Sequence, residues 1–420
     1  MISRLSIDLI INLASLGFLA VAGISLNIII GHYFGPAHLG LFNVVFALFI
    51  FASQLGSAGI QYSTLRLTSL HREDGQAQPI LSSALAIVII TSTAATAVFA
   101  LATPVITTIF QMDGIARGYL LSLPGLWCFS INKVLLAFIN GLGSMRAFAF
   151  YQSCRYLLMV AALLLVMMVG LEGSSLPVIL TISETILLVA LLFHLRTNLA
   201  QTIRFSASIS EWRSRHLQFS LLAMPSGVVA ELNTRVDVLL LGAVLGEVQT
   251  GIYSIAILLA EGYGQVIFVI RNVINPQLTH IVERRDQTSL SRLVRYVGGA
   301  TMLLLLAGAA LLIALFPLFD RYLLLGRFSE AQVPLTILVI GIGLTGPLMI
   351  FSMILSQGGR PGCYTTLMIL ILVLNIVFNL IGVLTYGMVG AAIGTALSIL
   401  AGAIMLFVST YRLFGLRLVP

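Results

Sequence analysis

The stretch Gly31-His32-Tyr33-Phe34-Gly35-Pro36-Ala37-His38-Leu39-Gly40-Leu41-Phe42 decides the reading of this 420-residue chain, because it returns as Gly242-Ala243-Val244-Leu245-Gly246-Glu247-Val248-Gln249-Thr250-Gly251-Ile252-Tyr253. Each glycine, and the aromatic after it, recurs at a constant offset of 211. Both stretches lie between long apolar segments, so each reads as a joint between two helices. Equivalent joints almost half a chain apart predict a duplicated architecture of two related halves.

Composition names the solvent. The chain is 59% hydrophobic, only 9% of its residues are charged, and its mean hydropathy is +1.06. An average soluble domain carries roughly 25% charge. So little polar surface implies lipid around the molecule. The net charge of +7 is no nucleic-acid signature, because the single Lys and 21 Arg never form a basic run longer than two residues. Cys128, Cys154 and Cys363 are scattered and offer neither a disulfide framework nor a metal spacing.

A crossing helix needs about 20 apolar residues. Twelve such runs are expected: 9–31, 39–62, 80–104, 118–141, 148–170, 176–195, 218–244, 250–271, 294–317, 333–356, 363–385 and 388–411. The first is too long for a signal-peptide core of about 7–15 residues, so it reads as an uncleaved span. Seventeen arginines, Arg4, Arg66, Arg155 and Arg271 among them, fall on one set of loops and helix ends. Only Arg117, Arg321 and Arg327 fall on the opposite set. Arginine collects on the cytoplasmic side, which predicts both termini in the cytoplasm. The fold class expected is therefore all-α and integral to the membrane. Two pseudo-symmetric six-helix lobes, 1–195 and 217–420, are joined by a cytoplasmic linker, 196–216. In that linker Ser208 and Glu211 have capping-box spacing, and Trp212 suits the headgroup zone. A short interfacial helix and an irregular linker are equally compatible with this pattern.

Enzyme chemistry is disfavoured. A Walker loop needs Lys after Gly, and the only lysine, Lys133, follows Asn132. There is no HExxH, no GxSxG and no His pair at metal-ligand spacing. Asp113, Asp320 and Glu330 in the opposite-side loops have no telling partner. No catalytic residue, metal ligand or cofactor is expected.

Charges inside the spans carry the functional signal. One at a helix centre costs roughly 2.5–3.5 kcal/mol on insertion scales, so it calls for a partner or a task. Lys133, Glu184, Glu231, Arg235 and Glu261 lie near the middle of their spans, and Asp237 lies nearer an end. Glu231 and Arg235 are four apart and share a face. They either neutralise each other or line a water-filled cavity in which Arg235 meets an anion. Lys133 either binds substrate or pairs with Glu184 or Glu261. The acids Glu184, Glu231, Asp237 and Glu261 form a charge network or carry a coupling H⁺ or Na⁺. Asn12, Asn27, Asn375 and Asn379 read as interhelical glue, and Gly390-x-x-x-Gly394 as a close-packing motif. Pro124, Pro225 and Pro347 interrupt spans and can bend them.

The segment Phe34-Gly35-Pro36 with Gly40-x-Phe42 resembles the first joint of polysaccharide (O-antigen-type) flippases of the multidrug/oligosaccharidyl-lipid/polysaccharide exporter superfamily. Asp237-Val-Leu-Leu-Leu-Gly242 with Gly251-Ile-Tyr253-Ser-Ile-Ala256, and Pro225 before it, resemble the matching joint of their second half. The likeness covers the whole chain in topology and is sharp at these two places. His32 departs from the Arg such proteins often carry. Twelve spans fit O-antigen-type flippases better than lipid II flippases, which usually have fourteen.

The resemblance implies outward movement of undecaprenyl-pyrophosphate-linked oligosaccharide repeat units across a bacterial inner membrane, by alternating access, for O-antigen or other surface polysaccharide assembly. It implies Lys133 and Arg235 as the groups that hold the pyrophosphate. The implied partners are the lipid-linked oligosaccharide and membrane lipids, with polysaccharide polymerase and chain-length machinery as further candidates and no nucleic acid. Two other readings remain open on the residues: an ion-coupled exporter of cationic drugs, which the buried cations disfavour, and a non-transporting membrane scaffold, which does not require so many buried charges.

Overall fold

The structure, a computed structural model, describes residues 2–198 and 209–418, with side chains over 21–197 and 211–418. Its α-helices are α1 (Ile2–Ser57), α2 (Ile60–Leu70), α3 (Ala77–Leu101), α4 (Thr103–Ile109), α5 (Ile115–Gly141), α6 (Met145–Val169), α7 (Val178–Asn198), α8 (Ile209–Leu245), α9 (Glu247–Arg284), α10 (Gln287–Leu293), α11 (Gly299–Leu323), α12 (Gln332–Met349), α13 (Ile354–Gln357) and α14 (Pro361–Phe414). No described residue lies in a strand. Among the described residues, nine helical segments are long and apolar enough to cross a bilayer. The chain is a multi-pass membrane protein. α8 is outside that set, because Gln218, Asn233 and the charged Glu231, Arg235 and Asp237 dilute its apolar stretch.

Contacts divide the chain into two compact units, Met1–Ile30 with Leu41–Glu231 and Gly31–Gly40 with Leu232–Pro420. The first joint thus belongs with the second unit, beside its own repeat. Gly35 has φ 81° and ψ −179° and breaks α1, while Gly246 has φ 79° and ψ −172° and separates α8 from α9. Such angles strain any residue with a Cβ. The joints then meet backbone to backbone. A Cβ on Gly40 would lie 1.9 Å from the Glu247 carbonyl oxygen, and one on Gly251 would lie 1.9 Å from that of Pro36. Pro36 and Glu247 are themselves 211 apart, so the contact is reciprocal about the repeat.

Small residues also set the packing within α14, which turns at Tyr386 and at Gly387 (φ 59°). Its two arms close on Gly390, whose Cβ would meet the Gly382 carbonyl at 1.8 Å, and on Gly394 against Phe378 and Asn379. The expected close-packing motif is therefore internal to this helical hairpin.

Two of the three prolines leave their helices intact. α5 continues through Pro124 because Thr181 of α7 enters its ladder: the Gly125 amide donates to Thr181 Oγ1 (3.0 Å), which donates to the Leu121 carbonyl (2.6 Å). A side-chain hydroxyl is one of the few groups that can repair a ladder where water is absent. α8 runs through Pro225, whereas α12 ends two residues after Pro347.

Ser208 and much of the expected linker lie outside the described residues. From Ile209 onward there is no separate short helix, because α8 is continuous to Leu245. Trp212 is not at a headgroup surface within this unit; it is buried against Leu67 and Ile80. One turn on, His216 is fully buried. Its Nε2 donates to the Ile80 carbonyl (3.2 Å), and its Nδ1 lies 2.7 Å from Ser63 Oγ. A carbonyl only accepts, which fixes the tautomer. Burial pulls the His216 pKa down from 6.5 to about 4.

Two outcomes are expected. Gly251→Ala must push the Pro36 carbonyl aside, at a cost of roughly 1–3 kcal/mol, so it lowers the thermal midpoint in detergent, whereas Gly362→Ala, facing open space, does not. For His216 the unfolded chain takes up a proton near pH 6.5 and the native chain near 4. Stability is therefore full above pH 6.5 and declines as the pH falls toward 4, and His216→Gln flattens that window in pH-resolved melts.

Candidate functional site

In the first unit the membrane-embedded charges lie on α5, α6, α7 and α8, and α1 meets them with Ser53 and Gln54. Glu184 on α7 is 3% exposed at its side chain, and both its oxygens are engaged. Oε1 lies 2.8 Å from Arg155 Nε of α6. Oε2 accepts from Asn132 Nδ2 of α5 (2.9 Å), which also donates to the Glu184 main-chain carbonyl (2.9 Å). The next residue of α5, Lys133, turns to α1 and donates to Ser53 Oγ (2.8 Å). Lys133 Nζ and the Arg155 guanidinium both approach the ring of Phe129, at 4.9 and 4.5 Å from its centre. Glu231 Oε1 accepts from Gln54 Nε2 (3.0 Å), and Gln61 Nε2 donates to Gln54 Oε1 (3.2 Å). Lys133 lies within electrostatic reach of Glu231, Arg155 and Glu184. Two basic and two acidic side chains thus share one core.

Arg155 corrects the sequence reading. It was expected among the cytoplasmic arginines at a helix end, yet it is the eleventh residue of the 25-residue α6 and only 12% exposed. It takes Glu184, the partner offered to Lys133. A signal was present: Arg155 lies inside the expected span 148–170 and, by position, belonged with the buried charges.

The second unit holds the other group. Asp237 of α8 accepts at Oδ2 from Thr395 Oγ1 (2.7 Å) and from the Tyr253 hydroxyl (3.4 Å). Asn379 Nδ2 donates to Thr395 Oγ1 (3.0 Å), and Asn375 Nδ2 donates to Ser398 Oγ (3.2 Å). The amides join the arms of α14, as glue does. Asp237 Oδ1 and Asn375 Oδ1 are buried acceptors with no hydrogen bond. Glu261 of α9 lies within electrostatic reach of Arg235 and of Asp237. The six sequence-predicted residues therefore fall three to a unit: Lys133, Glu184 and Glu231 in the first, Arg235, Asp237 and Glu261 in the second. Among the described residues no cluster of three His, Cys, Asp or Glu side chains can hold a metal ion.

Removing one partner of a buried pair leaves a charge unanswered, at a cost of roughly 3–5 kcal/mol. Glu184→Gln is expected to lose stability on that scale in detergent melts, and the double variant Glu184→Gln/Arg155→Met to recover most of it.

Comparison with known proteins places this arrangement. The profile of a family described as polysaccharide biosynthesis protein matches residues 29–326. No curated protein matches the sequence. Among solved structures, the lipid II flippase MurJ in an inward closed conformation superposes with TM-score 0.78 at 15% identity, covering 96% of this chain and 87% of that one. An inward-facing multidrug resistance MATE family transporter of the MOP superfamily gives 0.76 at 15% identity, covering 94% of each chain. An outward-facing transporter of that kind gives 0.61 at 18% identity, covering 99% of this chain and 95% of that one. The structures establish the fold and the profile establishes the family: the chain belongs to the polysaccharide biosynthesis protein family, on the fold seen in MurJ and MATE transporters.

Proposed function

We propose that the chain is a flippase that carries undecaprenyl-pyrophosphate-linked oligosaccharide repeat units from the inner to the outer leaflet of a bacterial inner membrane, for O-antigen or other surface polysaccharide. The observation that carries this reading is a set of buried and half-buried cations and acids inside apolar helices, in a member of a polysaccharide biosynthesis family. Sugars cannot cross hydrocarbon unaided, and an anionic pyrophosphate needs cations held at depth. In this reading Lys133 and Arg235 meet the pyrophosphate. Outward movement of each negative charge gains about 2.3 kcal/mol at ~100 mV inside-negative.

The reading takes the chain through the bilayer twelve times. α1 counts as two crossings divided at Gly35, α14 as two divided near Gly387, and α8 as one. The spans group into two six-helix lobes, 1–195 and 217–420, with both termini in the cytoplasm. H⁺ or Na⁺ is the coupling ion, taken up among Glu184, Glu231, Asp237 and Glu261. Asp237 is favoured because its Oδ1 is a buried acceptor with no hydrogen bond. The lipid-linked oligosaccharide and membrane lipids are the partners in this reading, with polymerase and chain-length machinery acting downstream and no enzymatic step in the chain itself. An exporter of cationic drugs would have to work around Lys133, Arg155 and Arg235, a poor lining for a cation.

Truncating one side of a buried charge contact costs roughly 2–5 kcal/mol, or tenfold and more in rate. Lys133→Ala and Arg235→Ala, inserted in the membrane at wild-type level in a deletion strain, are each expected to reduce surface polysaccharide on that scale without altering drug sensitivity. Full surface polysaccharide in both variants would refute their role.

A further inference from the structure

A cavity of about 230 Å³ lies within the first unit, among α1, α5, α6 and α7. Its apolar wall is aromatic. Phe42, Phe46, Phe49 and Phe129 follow one another with ring centres 6.0, 6.4 and 5.2 Å apart, and the last three line the cavity with Tyr156. Its polar wall is Gln152, Arg155 and Glu184. There Arg155 Nε faces Glu184 as an ion pair (2.8 Å) and Nη1 donates to Gln152 Oε1 (3.2 Å), whereas neither Nε nor Nη2, both buried, makes a hydrogen bond. Unmet guanidinium donors on a residue that lines a cavity are costly unless a small turn of the side chain lets something receive them.

We infer that this cavity is a subsite for one uncharged pyranose ring, with its C–H face against Phe46, Phe49 and Phe129 and a hydroxyl oxygen accepting from Arg155 Nη2. The π faces of the rings carry negative charge and attract polarised C–H groups, while Glu184 and Gln152 offer acceptors for hydroxyl protons. Size fits one ring: the cavity lies below the ~300–1,000 Å³ typical of drug-sized ligands. Charge fits a neutral sugar, because Arg155 is already balanced by Glu184, and a sugar carboxylate would have to displace that acid. Lys133 touches the same Phe129 ring, so a ring seated here is one phenyl group away from the cation assigned to the pyrophosphate. The inference rests on the flippase reading and extends it to the identity of one sugar position.

The test is saturation-transfer NMR on the full-length protein in detergent, with methyl glucoside and methyl glucuronoside as probes. The expected result is transfer to the ring protons of the glucoside and little to the glucuronoside. Arg155→Lys keeps the charge opposite Glu184 but loses the planar fork, and should weaken glucoside binding roughly three- to tenfold. Phe46→Leu, which leaves the Arg155–Glu184 pair in place, should do the same and serves if Arg155→Lys melts early. No transfer from folded wild-type protein, an equal or stronger signal from the glucuronoside, or unchanged binding in both variants would overturn the subsite. Surface polysaccharide made by the wild-type gene in the deletion strain, scored in parallel, separates the two failures. If it is restored while glucoside binding fails, only the subsite falls.

Discussion

A carboxylate in the middle of an apolar bundle must have both oxygens answered, and the core of the first unit is arranged around that demand at Glu184. Arg155 takes one oxygen and Asn132 the other, so a single side chain fastens α5, α6 and α7. The desolvation cost of such a pair commonly rivals its Coulombic gain. The pair is therefore better understood as fixing which faces turn inward than as a source of net stability. Lys133 follows from it, because Asn132 faces α7 and its neighbour in sequence is directed toward Ser53 on α1.

The second unit solves a different problem. Its joints bring main chains together where no side chain fits, at Gly40 against Glu247 and at Gly251 against Pro36. Backbone approach of this kind is available only to glycine. That is why the repeat survives in the sequence as glycines while the residues between them have drifted.

This also explains what could be read from the chain. The joints were legible because a positive φ and a vanishing side chain demand one residue type, and Gly35 and Gly246 have nearly the same backbone angles. Lys133, Glu184 and Glu231 were legible as charges within helices because an apolar run sets its own middle. Arg155 was legible in the same way, inside the expected span 148–170, but grouping it with the loop arginines hid it. Thr181 was invisible for a different reason. Its hydroxyl repairs the ladder beside Pro124 from another helix, and no local pattern announces a partner 56 residues away. Trp212 suited a headgroup surface by type, but tertiary contact with Leu67 and Ile80 took it inside.

That burial has a practical consequence. The chain has two tryptophans, and both fall in the first unit. Trp127 is half-buried and donates through Nε1 to Thr93 Oγ1 at 3.0 Å. Trp212 is enclosed, with the edge of His71 at 5.0 Å and the Arg215 guanidinium at 4.7 Å. Tryptophan emission, excited selectively over that of tyrosine, therefore comes from one half of the molecule alone. A spectroscopist following it watches the first unit without attaching a dye, while the second stays dark.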